Sequence, residues 1–324
     1  MMEQAIRDFP KQFSFQPKIQ GGQIDLKQFF NYLVCGMGGS HLAADVLKRI
    51  KPQLNLIIHS DYGLPEFITV EPSGTLVIIS SYSGNTEEAL DSLNQALDRG
   101  LNCLVISVGG QLLQIAKEKN LPYIQLPDTG IQPRSALGFS LIAMLKATNQ
   151  EDILSTISQL ASTLNPSVWE SQGEILAEEL KGHIPVVYAS SKNYALAYNW
   201  KIKLNETGKV PAFYNLLPEL NHNEMTGYDY TDLSRSLSDK LFFIILVDQA
   251  DNLKIQKRIS VLTQILEDRD LPVTTIKLTG QNDLEKIFNS LILADWLAYY
   301  TALIYEAEPT AVPLVEEFKA KLVN

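Results

Sequence analysis

This sequence predicts an α/β protein made of two doubly wound units, each a parallel β-sheet flanked by helices, with a helical tail at the C-terminus. Three observations lead there. Short apolar runs rich in β-branched residues alternate with stretches of helical period from residue 31 onward. The alternation stops over residues 151–182, which read as helix throughout, and then restarts. The strands are apolar along their whole length, as in parallel sheets covered on both faces, not alternating as in a half-exposed sheet.

In order, NYLVCG (31–36) is a strand that runs through GMGGS into a helix over 40–50. LNLIIHS (54–60) and TLVIIS (75–80) are strands, followed by a helix over 86–99, the strand NCLVIS (102–107), a short helix over 111–119, the strand PYIQL (122–126) and a helix over 135–147. Residues 1–150 thus form an N-terminal unit. Residues 151–182 form a helical linker with a plausible boundary near Asn165-Pro166. Residues 183–324 form a C-terminal unit: strands PVVYAS (185–190), VPAFYN (210–215), LFFIILVD (241–248) and PVTTIKL (272–278), with helices over 194–206, 252–268 and 283–305. A proline-broken stretch from Glu308 leads into a last helix ending near Leu322. Two such halves suggest a crevice for a ligand, with the strand C-terminal ends as the binding edges.

Composition excludes several classes. A net charge of −10 leaves no basic surplus to displace counterions from nucleic acid, so an anionic ligand must be held by local features. No uninterrupted apolar run approaches the ~20 residues of a membrane span, and the N-terminus has no apolar leader, so a cytoplasmic protein is expected. Cys35 and Cys103 both lie in apolar strand runs without metal-ligand spacing and read as buried thiols. The partial fingerprint Gly36-x-Gly38, with Asp61 past the second strand, suggests a dinucleotide, but its third glycine position falls on His41.

The loops carry the chemistry. GMGGS (36–40) and SSYSGNT (80–86) each end a strand and open a helix, where free backbone N–H groups and the helix dipole favour an anion. Thr86 before two glutamates is also a capping signal, but a helix needs one cap, and this loop supplies Ser80, Ser81, Ser83 and Thr86. Arg134, between Pro133 and a helix start, is placed for an anion. Glu206 ends a helix, where the negative end of the dipole disfavours a fixed carboxylate charge, although a solvated helix end beside Lys203 and Lys209 reads equally well. His222, in the polar stretch LPELNHNEMTG, lies between Asn221 and Asn223, amides placed to fix an imidazole for acid–base work. The three tryptophans lie in helical stretches and read as core.

Taken together, GMGGS, SYSGNTEE, PRSALG, KLNE, LPELNHNE and the terminal Glu308-Pro309 segment with its lysine resemble, in order and spacing, the bifunctional phosphoglucose/phosphomannose isomerases of the sugar isomerase (SIS) superfamily. The resemblance implies two SIS domains, each a flavodoxin-like parallel sheet, the N-terminal one with the phosphosugar loops and the C-terminal one with catalytic residues, in a homodimer with composite sites acting on hexose 6-phosphates without metal or organic cofactor. Gly39, Ser40, Ser81, Ser83 and Thr86 would hold the phosphate. Glu206 would move the proton between C1 and C2. His222, supplied across the dimer, and Lys319 would assist ring opening, and Arg134 would stabilise the enediolate. A phosphosugar-binding regulatory protein is the rival reading; it needs the loops but not Glu206, His222, Arg134 or Lys319. Three positions depart from the family: His41, where relatives carry a small residue, Glu308 in place of Asp or Asn before proline, and Val312 in place of a threonine, which leaves the choice of epimer open.

Overall fold

The computed structural model describes residues 1–66 and 74–322. They form two compact units, Asp8–Leu164 and Met1–Arg7 with Asn165–Asn324. The helical stretch 151–182, expected as a linker, is therefore divided between the units.

Helix α1 (Met2–Arg7) belongs to the second unit, fixed there by the Arg7 guanidinium, which donates to Glu170 at 2.6 Å and lies 5.0 Å above the Trp296 ring. The first unit follows as β1 (Ile19–Gln20), β2 (Asn31–Cys35), α2 (Leu42–Ile50), β3 (Asn55–His59), β4 (Thr75–Ser80), α3 (Glu87–Asp98), β5 (Asn102–Ser107), α4 (Gly110–Glu118), β6 (Tyr123–Gln125), α5 (Leu137–Ala147), α6 (Glu151–Ile157) and α7 (Leu160–Thr163). The sheet order is β1-β6-β5-β4-β2-β3, parallel except for the edge strand β1, which pairs antiparallel with β6. The two-residue β1 escaped the sequence reading because it is too short to show a period. The order of the five parallel strands is that of a flavodoxin-like sheet, with its topological switch between β2 and β4.

Alternation along each strand feeds two cores. Leu33 and Cys35, Val77 and Ile79, and Cys103 and Val105 point to one face and pack on Leu93, Ala96, Leu112 and Ala116 of α3 and α4. Their neighbours Val34, Ile78 and Leu104 are equally buried on the other. Burial pushes the Cys35 and Cys103 thiols up to about 12, which keeps them protonated and inert.

The second unit contains α8 (Ser167–Leu180), β7 (Ile184–Ser190), α9 (Tyr194–Glu206), β8 (Phe213–Leu217), α10 (Arg235–Ser238), β9 (Leu241–Val247), α11 (Leu253–Glu267), β10 (Val273–Lys277), α12 (Asp283–Ile304) and α13 (Pro313–Leu322). Its sheet, β10-β9-β7-β8, is wholly parallel, with the same kind of switch between β7 and β9. Strand β8 begins at Phe213, later than the apolar run predicts, because Pro211 has no N–H for the ladder. Trp200 and Trp296 are fully buried, each indole N–H satisfied, by Ser290 Oγ at 3.0 Å and Pro166 O at 2.8 Å; Trp169 is half-buried.

By length and composition alone α12 is apolar enough to cross a membrane, contrary to the expectation that no apolar run approaches a span; Asp295 and other polar residues break the stretch. It is instead a core helix, with 72% of its apolar window buried. Asp295 faces Lys203 of α9 at 2.6 Å, both groups almost completely buried. Removing one partner of such a pair strands the other charge in a low-dielectric interior. Lys203→Ala is therefore expected to destabilise the protein by about 3–5 kcal/mol, measured by chemical denaturation. A loss within ~0.5 kcal/mol would show that the pair is solvated in the native state.

Candidate active site

In the first unit the two predicted loops lie side by side at the switch point, because β2 and β4 are neighbours and both end there. After β2 the chain turns through Gly38–Ser40 into α2; after β4 it runs through Ser80–Thr86 into α3. Ser80 Oγ donates to Ser40 O at 2.9 Å, and Ser40 Oγ accepts the Tyr82 N–H at 2.9 Å, which stitches the loops together. Ser81 Oγ and Thr86 Oγ1 are 2.7 Å apart, and Ser81 Oγ also accepts the Gly84 N–H at 3.1 Å. Ser83, exposed, accepts the Asn85 N–H at 3.3 Å. Asn85 Oδ1 in turn accepts the Gln111 N–H of α4 at 3.0 Å, a brace that the sequence reading missed.

A third turn, Pro133–Ser135, closes against the first. A Cβ on Gly39 would sit 3.0 Å from Arg134 N and 3.1 Å from Pro133 Cβ, so any larger residue would press the two backbones apart by a few tenths of an ångström. Arg134, 2% exposed, is thereby carried to the same edge as Ser40. The structure thus brings Gly39, Ser40, Ser81, Ser83, Thr86 and Arg134 into one neighbourhood.

The capping alternative for Thr86 fails. Thr86 occupies the N-cap position of α3, yet its hydroxyl makes no cap hydrogen bond and turns to Ser81 instead. Helix α2 likewise starts without a side-chain cap, whereas at the start of α5 Gln12 Oε1 accepts the Gly138 N–H at 2.9 Å and the Phe139 N–H at 3.3 Å. Two helix starts with no side-chain cap, those of α2 and α3, thus lie at a hydroxyl-lined edge, which is what an oxyanion such as a phosphate ester requires. His41 turns Nδ1 toward Asp45 of the first turn of α2, at 2.9 Å, with both side chains buried. Asp61, the candidate ribose acid, accepts the Tyr62 N–H at 2.7 Å in its own turn.

The second unit carries the other candidates. Glu206 is half-buried at the end of α9, where Lys209 Nζ donates to its carbonyl oxygen at 2.6 Å. The same ammonium donates to Ala311 O, which ties the end of α9 to the segment before α13. Glu308 caps that segment, accepting the Thr310 N–H at 2.9 Å and the Ala311 N–H at 2.5 Å; the Ala311 bond foremost holds its carboxyl below the usual carboxylate range. Lys319 is exposed on α13 and pairs with Glu316 at 2.9 Å.

His222 is exposed at the end of a short 3-10 turn, Glu219–His222. Its neighbours were expected to hold the ring; they hold the loop instead. Asn221 Oδ1 accepts from Arg258 at 3.2 Å, and Asn223 bonds Glu219 Oε1 at 2.8 Å and the Glu224 N–H at 2.6 Å.

At the switch point of the second sheet a different chemistry appears. Asp248, fully buried, meets Lys192 at 3.0 Å and Lys286 at 3.6 Å; Asp251 accepts from Ser190 at 2.9 Å. Burial opposes the Asp248 charge, but the Ala250 N–H and the two ammonium groups outweigh it and hold the carboxyl below its usual range. This unit therefore places its own carboxylate where the first presents helix starts and hydroxyls. An aspartate ending the fully apolar run LFFIILV was the available signal.

Comparison with known proteins agrees with these features. Residues 170–322 match the family model of the bacterial phospho-glucose isomerase C-terminal SIS domain. The chain is 30% identical to a bifunctional phosphoglucose/phosphomannose isomerase of Aquifex aeolicus, over 98% of this chain and 97% of that one. It is also 30% identical to the protein of that name from Caldicellulosiruptor bescii, over 90% and 89%. Among solved structures, tagatose-6-phosphate ketose/aldose isomerase from Escherichia coli superposes with a TM-score of 0.67 at 17% identity, covering 95% of this chain and 94% of that one, a likeness of fold. With near-complete coverage at this identity, the chain belongs to the bifunctional phosphoglucose/phosphomannose isomerase family.

Proposed function

We propose that this protein is a reversible aldose–ketose isomerase that converts glucose 6-phosphate and mannose 6-phosphate to fructose 6-phosphate. The observation that carries the reading is the Ser40, Ser81 and Thr86 hydroxyl cluster at helix starts without side-chain caps, in a chain of this family. An acidic protein has no field to draw in a sugar phosphate, so neutral donors and helix dipoles supply the grip. Gly39, Ser40, Ser81, Ser83 and Thr86 anchor the phosphate, remote from the reacting carbons, and its binding energy orients the sugar.

His222 and Lys319 serve ring opening, in which the proton on the anomeric hydroxyl leaves and the ring oxygen gains one. The Glu206 carboxylate then takes the proton from C2 of the open-chain aldose and returns it to C1. The C1 carbonyl becomes a hydroxyl and the C2 hydroxyl a carbonyl, with no net redox change. Arg134 offsets the negative charge on the enediolate oxygens. No step calls for a metal or organic cofactor. In this reading the protein works as a homodimer in the cytoplasm, with His222 contributed across the dimer.

The test supplies each hexose 6-phosphate separately and follows fructose 6-phosphate with a coupled assay. Turnover of both, with kcat in the ordinary enzyme range of about 1–10³ s⁻¹, is expected. Tight binding without turnover would make the protein a phosphosugar-binding regulator instead.

A further inference from the structure

The stretch that holds His222 is anchored by a buried polar network with no part in the scheme above. Glu224, two residues on, directs its carboxylate into the core of the second unit. Oε1 accepts from the hydroxyl of Tyr188, a fully buried residue of β7, and lies 3.1 Å from the hydroxyl of Tyr228. The two tyrosine hydroxyls are 2.5 Å apart, so Tyr228 is placed to donate to Tyr188 and Tyr188 to the carboxylate. Oε2 accepts from Asn215 Nδ2 of β8, while Asn215 Oδ1 accepts the Leu216 N–H at 2.7 Å. Burial, the largest influence on each, raises both phenols far above their usual range, so they remain donors across the working pH.

This network does more than fill space. Tyr188 and Tyr228 pack among Phe243, Ile245 and Leu220, where apolar side chains would satisfy the core equally well. Their hydroxyls instead converge on one carboxylate, and that carboxylate ties the stretch to two adjacent strands, β7 and β8. Asn223 bonds the Glu224 N–H on one side of His222 and Arg258 bonds Asn221 on the other. The imidazole is exposed, so its position is set through the backbone that carries it.

We propose that Glu224 is a positioning residue for His222, acting through its hydrogen bonds to Tyr188 and Asn215. The inference rests on the role given to His222 above. A misplacement of about 1 Å in a reacting group costs on the order of 100-fold in rate, so the expected signature lies in kcat.

Glu224→Gln keeps the shape and the oxygen that faces Tyr188 but turns an amide NH₂ toward the Asn215 NH₂. Asn215 cannot flip to answer it without losing its bond to Leu216 N–H. A fall in kcat of about 30–100-fold, with KM within about threefold, is expected. Adding Asn215→Asp reverses donor and acceptor across the same contact and is expected to restore kcat to within about fivefold of the parent. The decisive measurement is a double-mutant cycle with His222→Gln. If Glu224 acts through His222, E224Q costs nothing further in the H222Q background.

An equal loss in both backgrounds would make Glu224 a structural residue and overturn the proposal, as would unchanged kcat in E224Q while H222Q lowers kcat. Full activity in H222Q would overturn the role of His222 and this inference with it. Should E224Q fail to fold, Tyr188→Phe removes one hydroxyl and keeps the ring. A severalfold loss of kcat, absent from the H222Q background, supports the proposal; the same loss in both backgrounds, or none, overturns it.

Discussion

Glu206→Gln is expected to lower kcat by about 10²–10⁴-fold for both hexose 6-phosphates while leaving KM within about threefold. The substitution is isosteric but replaces a basic carboxylate with an amide that cannot accept the C2 proton. The backbone anchor survives, because Lys209 Nζ donates to the Glu206 carbonyl oxygen and to Ala311 O, which the substitution leaves in place. Glu206 is half-buried at a helix end, so stability should change by no more than about 0.5 kcal/mol. Calorimetry with a hexose 6-phosphate should then report near-parental affinity, separating lost chemistry from lost binding. Unchanged kcat would move the base to another residue and leave the phosphate site intact.

Gly84→Ala is expected to reduce kcat/KM by about 100-fold or more, chiefly by loosening the phosphate. Gly84 has φ +73°, a conformation that costs an L-residue roughly 1–2 kcal/mol. The added Cβ would also lie 1.9 Å from Gly109 O and 2.7 Å from Ser107 Oγ, closer than any side-chain carbon tolerates. Backbone has to move, and the backbone that moves carries Ser81, Ser83 and Thr86. Gly100→Ala is the control. At φ +66° it carries the same left-handed strain, but a Cβ there meets nothing within 4 Å, and it lies after α3, away from the loops. It should cost about 1 kcal/mol of stability and leave kcat/KM unchanged. Equal kinetic damage in both variants would mean that general instability, not the geometry of the loop, causes the loss.

Much of this molecule is legible in one dimension where the physics is local. Strand TLVIIS and helix 194–206 sit where the apolar pattern puts them, since period and propensity act over a few residues. The loop SSYSGNT stands out in the sequence because one helix start cannot use four hydroxyls. Other features escape for equally physical reasons. Pro211 shortens β8 through a missing N–H in a ladder whose partner residues are 27 positions away in sequence, as Val186 pairs with Phe213. Glu224 stands in the quoted stretch LPELNHNE without an evident task, because its partners Tyr188 and Asn215 lie on separate strands. A tyrosine in PVVYAS and an asparagine in FYNLL were the only traces.

The sequence by itself determined the α/β class, the restart of the pattern past residue 182 and the hydroxyl-rich character of the loops after β2 and β4, all consequences of short-range period and residue type. Tertiary structure alone decided that Thr86 turns its hydroxyl to Ser81 instead of capping α3, that Pro133–Arg134 closes on Gly39, and that Asp248 fills the second switch point. Each of these depends on which strands become neighbours, and strand order is fixed by burying two sheet faces at once, a global condition that no local window of residues expresses.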